Sequence, residues 1–357
     1  MVNSCYVHVP FCDSICSYCD FSRTIAKDSV KEKWLNQIVH EIETTRVETL
    51  STLYFGGGTP SCLSVDQISR LAAPFQKHLA KAYEWTVECN PESVTQTKAM
   101  AYAKLGVNRI SLGVQSFKDS LLTSMGRMHT QETIFQAIDW LRNAGLTNIS
   151  IDLIYALPEQ SLEDVKKDLE QFIELDLPHL SIYSLQIEEN SIFGKKHLQP
   201  ADEDLEADMY DYICEFLKKH GYEHYEISSF CKKGMYSRHN LAYWMDEDFL
   251  GIGCGASGRI DGIRYDNDRN LMKYIEKGVT HQMQPTDGPF EAIMMGLRTS
   301  FGVDLIRFRQ KYGFDILERY ETVLKRYEQE LTIKDNHLVC TEFGFHILNT
   351  ILIDFLD

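Results

Sequence analysis

Three cysteines, Cys12, Cys16 and Cys19, read C-x3-C-x2-C near the start of the chain, directly after the apolar run Tyr6-Val-His-Val-Pro10. Thiolate is the soft donor that zinc and iron–sulfur clusters select, so three in one short segment can converge on a single metal centre. Structural zinc closes four ligands, usually from paired Cys or Cys/His knuckles. No second knuckle follows here, and no histidine lies close after Cys19. Unrelated core thiols are common, but they rarely fall at this spacing in a loop that follows a strand. A four-iron cluster held by three cysteines leaves one iron open to a small molecule, and the pattern favours that chemistry.

Other polar groups recur at comparable places. Gly56-Gly57-Gly58-Thr59-Pro60 follows the second apolar run, and bare backbone there can turn tightly and approach a ligand. Taken alone, it is equally a plain tight turn. Glu88 ends a third run, Gln115 follows a fourth and Asp152 lies within a fifth. Each singly reads as a solvated strand end; their repetition on successive units points to a polar small molecule held at an apolar mouth. Arg127, in Met125-Gly-Arg-Met-His129, has the planar fork that grips a carboxylate. His239-Asn240-Leu-Ala-Tyr243-Trp244 sets an imidazole among aromatics, which by residue type alone reads as packing.

The elements that position these groups follow from periodicity. Strands are expected at Cys5–Val9, Thr52–Phe55, Trp85–Cys89, Arg109–Gly113, Asn148–Ile154 and His179–Ser184, with amphipathic helices between them. Trp34, Leu35, Ile38, Val39 and Ile42 form one helical stripe; Leu162, Val165, Leu169, Phe172 and Ile173 form another. Ser64 and Ser161 are expected N-caps, with Gln67 and Asp164 three residues on. Six strand–helix units predict a parallel α/β barrel or part of one, with ligands at the carboxyl ends of the strands. Further on, a helix is expected at Glu203–Lys219, capped by the acidic run Asp202–Glu206, then a strand at His224–Ile227 and a Gly-rich segment, Gly251–Gly255. From about Pro285 come helices near Phe290–Thr299 and Ile316–Tyr327, a β pair near Leu331–Ile333 and Leu338–Cys340, and a closing helix. That order is winged-helix-like. The expected division is 1–190, 191–284 and 285–357.

The 357 residues carry 36 Lys and Arg against 52 Asp and Glu, a net charge of −16, which disfavours nucleic acid as a partner. No apolar run approaches the roughly 20 residues that span a bilayer. The first residues show no basic-then-apolar leader, so a reducing, cytoplasmic setting is expected for the ten cysteines. Cys62, Cys89, Cys214, Cys231, Cys254 and Cys340 are scattered and read as structural. So do His220 and His224, which Gly221 separates from a shared helix face.

The cysteine motif followed by an aromatic resembles the signature of radical S-adenosylmethionine (SAM) enzymes, whose usual fold is a partial (β/α)6 barrel. Val9-Pro-Phe-Cys12, Gly56–Pro60, Glu88-Cys-Asn-Pro91, Gly113-Val-Gln-Ser-Phe117, Asp152-Leu-Ile-Tyr155 and Leu157-Pro158 narrow the likeness to the oxygen-independent coproporphyrinogen III oxidase group. The resemblance implies a [4Fe-4S] cluster on Cys12, Cys16 and Cys19. It also implies SAM contacts from Tyr6, Gly58, Thr59, Glu88, Gln115, Arg127 and Asp152. Two features depart from the oxidase: Phe21 stands where it has a fourth cysteine, and only eleven residues precede Cys12. Both are similar instead to the HemW group of heme chaperones, whose H-N-x-x-Y-W motif matches residues 239–244. That likeness implies heme as a ligand, His239 as a heme contact, and hemoproteins as acceptors, respiratory membrane-bound ones among them. The competing reading is an oxidase that decarboxylates two propionates of coproporphyrinogen III. A homodimer is left open.

Overall fold

The computed structural model describes residues 2–356. Six strands stand side by side in chain order and run parallel: β1 (Ser4–Val9), β2 (Leu50–Gly57), β3 (Leu79–Cys89), β4 (Arg109–Gln115), β5 (Ile149–Tyr155) and β6 (His179–Ser184). Helices Asp28–Thr44, Val65–Ala72, Gln96–Leu105, Gln131–Asn143 and Leu162–Glu174 make the crossovers, and Glu203–Lys219 follows β6. This is the expected α/β partial barrel. β2 and β3 begin earlier than expected, because Leu50 and Leu79 already pair below the apolar runs that marked them.

The sheet extends at both edges. β7 (Glu223–Glu226) and β8 (Ser229–Cys231) add antiparallel beside β6. β9 (Leu250–Ile252) adds parallel beside β1, so the Gly-rich segment is partly a strand. Gly251 is required there, since a Cβ would stand 1.9 Å from the Ser257 carbonyl oxygen.

The two faces of the sheet differ. Val7, Phe55, Trp85, Val87, Ile110, Leu112, Ile151 and Leu180 are buried in the main apolar core. Alternate positions are polar, and register sets them level: Tyr6, Tyr54, Thr86 and Arg109 in one row, Gly113, Asp152 and Ser181 in another. Parallel sheets covered on both faces usually read as unbroken apolar runs. Here the concave face is a polar hollow.

Local signals hold where they were read. Trp34, Leu35, Ile38 and Ile42 are buried, with Val39 at the margin. Both capping boxes form, Ser64 with Gln67 and Ser161 with Asp164. Asp202 caps its helix by accepting the N–H groups of Asp204 and Leu205.

A second apolar core gathers Ala292, Ile293, Leu297, Phe308, Leu338, Leu348 and Ile351. Around it run helix Gly288–Leu297, strand Val303–Asp304, helix Leu305–Tyr312, two short helices, and strands Leu331–Lys334 and His337–Cys340, the last in the middle of its sheet. That order is winged-helix-like. The single helix expected over 316–327 is instead Ile316–Arg319 and Glu321–Arg326, because Tyr320 leaves helical geometry at φ −107°, ψ 28° and turns into the core. Among the described residues, no helix is long and apolar enough to cross a membrane.

Replacing Ser161 by Ala removes the hydroxyl that accepts the Asp164 N–H at 3.3 Å. The expected cost is about 1 kcal/mol, read as a fall of roughly 2 °C in thermal midpoint.

Candidate functional site

The cysteine loop leaves β1 and returns on itself. Cys12 N–H bonds to Thr24 O at 3.0 Å, and Thr24 N–H to Pro10 O at 2.8 Å. His8 ties the loop to the strand: Nε2 lies 2.8 Å from the Ser22 carbonyl, which can only accept, so Nδ1 takes the Tyr6 hydroxyl at 3.1 Å. The turn after β2 packs against this loop, with Gly58 N–H on Val9 O at 2.8 Å and Thr59 N–H on Phe11 O at 2.7 Å. A Cβ on Gly58 would meet Phe11 O at 2.6 Å, and one on Gly57, at φ +112°, would meet the His8 ring at 2.6 Å. The space these glycines open is thus filled by the chain's own groups.

A bonded path links the first two thiols. Thr59 Oγ1 donates to Cys12 Sγ at 3.4 Å, and Asn90 Nδ2 donates to Thr59 Oγ1 at 3.3 Å. Arg127 donates from Nη2 to Asn90 Oδ1 at 2.9 Å and from Nη1 to Cys16 Sγ at 3.3 Å. Arg127 also bonds to the Gly113 carbonyl. The fork read as a carboxylate grip is therefore engaged by the cysteine loop and the strand ends, leaving only Nε without a partner. Burial pushes the Cys12 thiol up to about 11, with Cys19 and Cys16 adding to the shift, and burial raises Cys19 too. Among the described residues, no three His, Cys, Asp or Glu side chains are closed around a metal-sized point. The three thiols instead share one loop, and the Cys16 sulfur helps raise the pKa of both Cys12 and Cys19, a penalty that a cationic centre between them reverses. That donor set, with a guanidinium on one sulfur and a hydroxyl on another, fits a three-cysteine cluster.

The strand ends beside the loop carry the other candidates. Glu88 accepts the Tyr54 hydroxyl at 2.7 Å and Gly57 N–H at 3.0 Å. It is surrounded by protein, yet its edge opens into the hollow. Burial raises its carboxyl to about 7, with Asp152 adding to the shift and the two hydrogen bonds opposing it. Asp152 accepts the Ser111 hydroxyl at 3.1 Å and is raised by burial as well. Gln115 sits at φ +70° where β4 slips register against β5. A non-glycine residue in that region is strained and needs surrounding support. His129 supplies it, bridging Val114 O at 3.0 Å and Glu92 at 3.1 Å while almost wholly buried. Sequence reasoning passed over His8, Tyr54, Asn90, Arg109 and His129. For His8, Tyr54 and Arg109 the signal was the polar residue at alternate positions of strands otherwise suited to burial; Asn90 and His129 lie in loops and carried no such signal.

His239 lies elsewhere, at the opposite end of the hollow. The helix Arg238–Trp244 places it against Thr52 and Glu84, near the start of β2 and midway along β3. Its N–H bonds to Glu84 at 3.0 Å, Nδ1 pairs with Thr52 Oγ1 at 2.8 Å, and Nε2 pairs with the Tyr243 hydroxyl at 2.5 Å. The ring stacks on Tyr54 with centroids 5.0 Å apart. Burial, with the Arg109 charge adding, pushes its pKa down to about 3, so the imidazole is neutral. The structure thus brings Gly58, Thr59, Glu88, Gln115, Arg127 and Asp152 toward the strand ends, sets Tyr6 lower in the row with Tyr54, and leaves His239 beneath, stacked on Tyr54 with both nitrogens engaged. His220 and His224 do not meet: one bonds back to Phe216 O, the other to Ile227 O.

Fold and site together define a radical SAM protein: residues 6–172 match the Radical SAM superfamily, and residues 283–346 match the HemN C-terminal domain. The chain is 39% identical to the heme chaperone HemW of Lactococcus lactis, over 99% of this chain and 97% of that one. It is 34% identical to the heme chaperone HemW of Escherichia coli, over 99% and 98%. The chain belongs to the HemW heme-chaperone family. Its fold superimposes on coproporphyrinogen III oxidase (HemN) from Escherichia coli with a TM-score of 0.84, at 22% identity, covering 99% of this chain and 89% of that one.

Because the Glu88 pKa is raised in the folded state to about 7, the folded chain holds a proton there that the unfolded chain releases from about 4.5 upward. This contribution to stability therefore falls as pH rises between those values, by on the order of 2–3 kcal/mol in linkage terms. Glu88→Gln removes the dependence. Its thermal midpoint relative to the parent should rise between pH 5 and pH 8, and parallel profiles would refute the assignment.

Proposed function

We propose that this chain holds a [4Fe-4S] cluster on Cys12, Cys16 and Cys19, binds SAM beside it, and carries heme for delivery to hemoproteins. The observation that carries the reading is the bonded path from Cys12 through Thr59, Asn90 and Arg127 to Cys16, at the carboxyl ends of parallel strands where α/β barrels hold ligands. Full-length similarity to heme chaperones supports the heme part of the reading. When bound, the cluster supplies one-electron reduction at its open iron.

The chain's own residues take defined parts. Gly58, Thr59, Glu88, Gln115 and Asp152 line the strand ends that would hold SAM, Tyr6 stands below them on β1 as a further SAM contact, and Arg127 positions the Cys16 sulfur. Phe21, 71% exposed, occupies the place of a fourth cysteine and offers an apolar ring beside the loop. For His239 to touch heme, one ring nitrogen would have to be released, Nε2 from Tyr243 on its own helix or Nδ1 from Thr52 on β2. We place the chain in the cytoplasm, passing heme to acceptors that include membrane-bound ones.

Cluster-loaded protein titrated anaerobically with hemin should bind it stoichiometrically, and His239→Ala should weaken that binding about ten-fold through loss of one coordinate bond. Unchanged affinity in the variant would remove His239 from the heme site. Supplied instead with coproporphyrinogen III, SAM and reductant, the protein should form no protoporphyrinogen. Turnover there would replace the chaperone reading with the oxidase.

A further inference from the structure

On the concave face of the sheet, Arg109 has no hydrogen-bonded or ion-paired partner among the described residues, although its charge reaches the Glu88 and Asp152 carboxyls and favours their ionised forms. Arg109 opens β4 in the inward row with Tyr54 and Thr86, and it is only 2% exposed. Its Nε is sealed from solvent with no acceptor. Nη1 and Nη2 form no hydrogen bond or ion pair with a described residue, and neither is among the fully sealed atoms, so the little exposure Arg109 keeps lies at its fork. The fork of Arg127, by contrast, is fully engaged.

The acidic groups nearby are committed elsewhere. Glu88 serves Tyr54 and Gly57, Asp152 serves Ser111, and Glu84 serves the backbone N–H groups of Arg238 and His239. The Arg109 charge also reaches Glu88 and Asp152, whose hydrogen bonds go to other groups, and two imidazoles, His179 and His239, which burial and that charge hold neutral. The imidazoles bring no anion. A buried guanidinium whose N–H groups have no acceptor is costly, and an incoming oxygen pair would complete it.

We propose that Arg109 is an anion-binding residue of the hollow, which grips the carboxylate of a ligand entering from the cysteine-loop end. The other end is closed by His239, Tyr243 and Tyr225. A guanidinium fork matches a carboxylate in two parallel hydrogen bonds. Arg109 lies four residues before Gly113 on β4, about 13 Å deeper at ~3.3 Å per residue, so the acid must reach well past the strand ends. This inference rests on the functional reading above, which supplies two such acids: a heme propionate and the methionyl carboxylate of SAM.

Binding of hemin, hemin dimethyl ester and SAM to the cluster-loaded parent, Arg109→Gln and Arg109→Lys separates the cases. Arg109→Gln should bind one acid about ten-fold or more weaker, while its thermal midpoint stays near the parent's because the guanidinium makes no hydrogen bond to lose. A loss confined to hemin, with ester binding equal in parent and variant, assigns the propionate. A loss confined to SAM assigns its carboxylate. Lysine keeps the charge without the fork and should restore only part of the affinity. Parental affinity of Arg109→Gln for both hemin and SAM overturns the proposal. So does a lowered midpoint with hemin, ester and SAM all weakened together, which marks a structural role. If the parent itself binds no hemin, the heme reading fails on its own and the SAM titration alone decides Arg109.

Discussion

A parallel sheet with a polar concave face must satisfy that face with hydrogen bonds, because a buried polar group without a partner costs more than most contacts return. The rest of this molecule is arranged around that constraint. Tyr54 and Gly57 serve Glu88, Ser111 serves Asp152, and Ser150 with Tyr225 serves His179. The floor of the hollow is supplied by chain that follows the barrel: Tyr225 on β7, and His239 and Tyr243 on one short helix. The segment between the strands and the C-terminal unit therefore acts as a plug, which explains why a histidine suited to binding iron is found packed and neutral.

The upper end is organised by different means. The cysteine loop hangs from β1 through His8 and is braced from β2 by two glycines that admit its backbone at close range. Arg127 and Asn90 then join the loop to the ends of β3 and β4. Several of these ligand-suited positions hold one another. The strain at Gln115 is supported in the same way, through His129 and Glu92.

Much of this was legible in residue order. The spacing of Cys12, Cys16 and Cys19, the caps at Ser64 and Ser161, and the six strand–helix units each depend on neighbours a few residues away. Phe21 in the place of a fourth cysteine is a fact of composition at one position. Errors fell where tertiary contacts override local pattern. Tyr320 breaks an amphipathic run to enter the second core, and Leu250–Ile252 becomes a strand only because β1 offers it an edge.

What the sequence determined by itself is the chemistry available: three thiols at cluster spacing, polar groups at successive strand ends, and a histidine among aromatics. Only the tertiary structure decided how these face one another. It engaged the Arg127 fork with Cys16, closed His239 between Thr52 and Tyr243, and left Arg109 without a hydrogen-bond acceptor among the described residues. The reason is register. Residues far apart in the chain become neighbours through strand pairing, and a shift of one residue would turn every inward side chain outward.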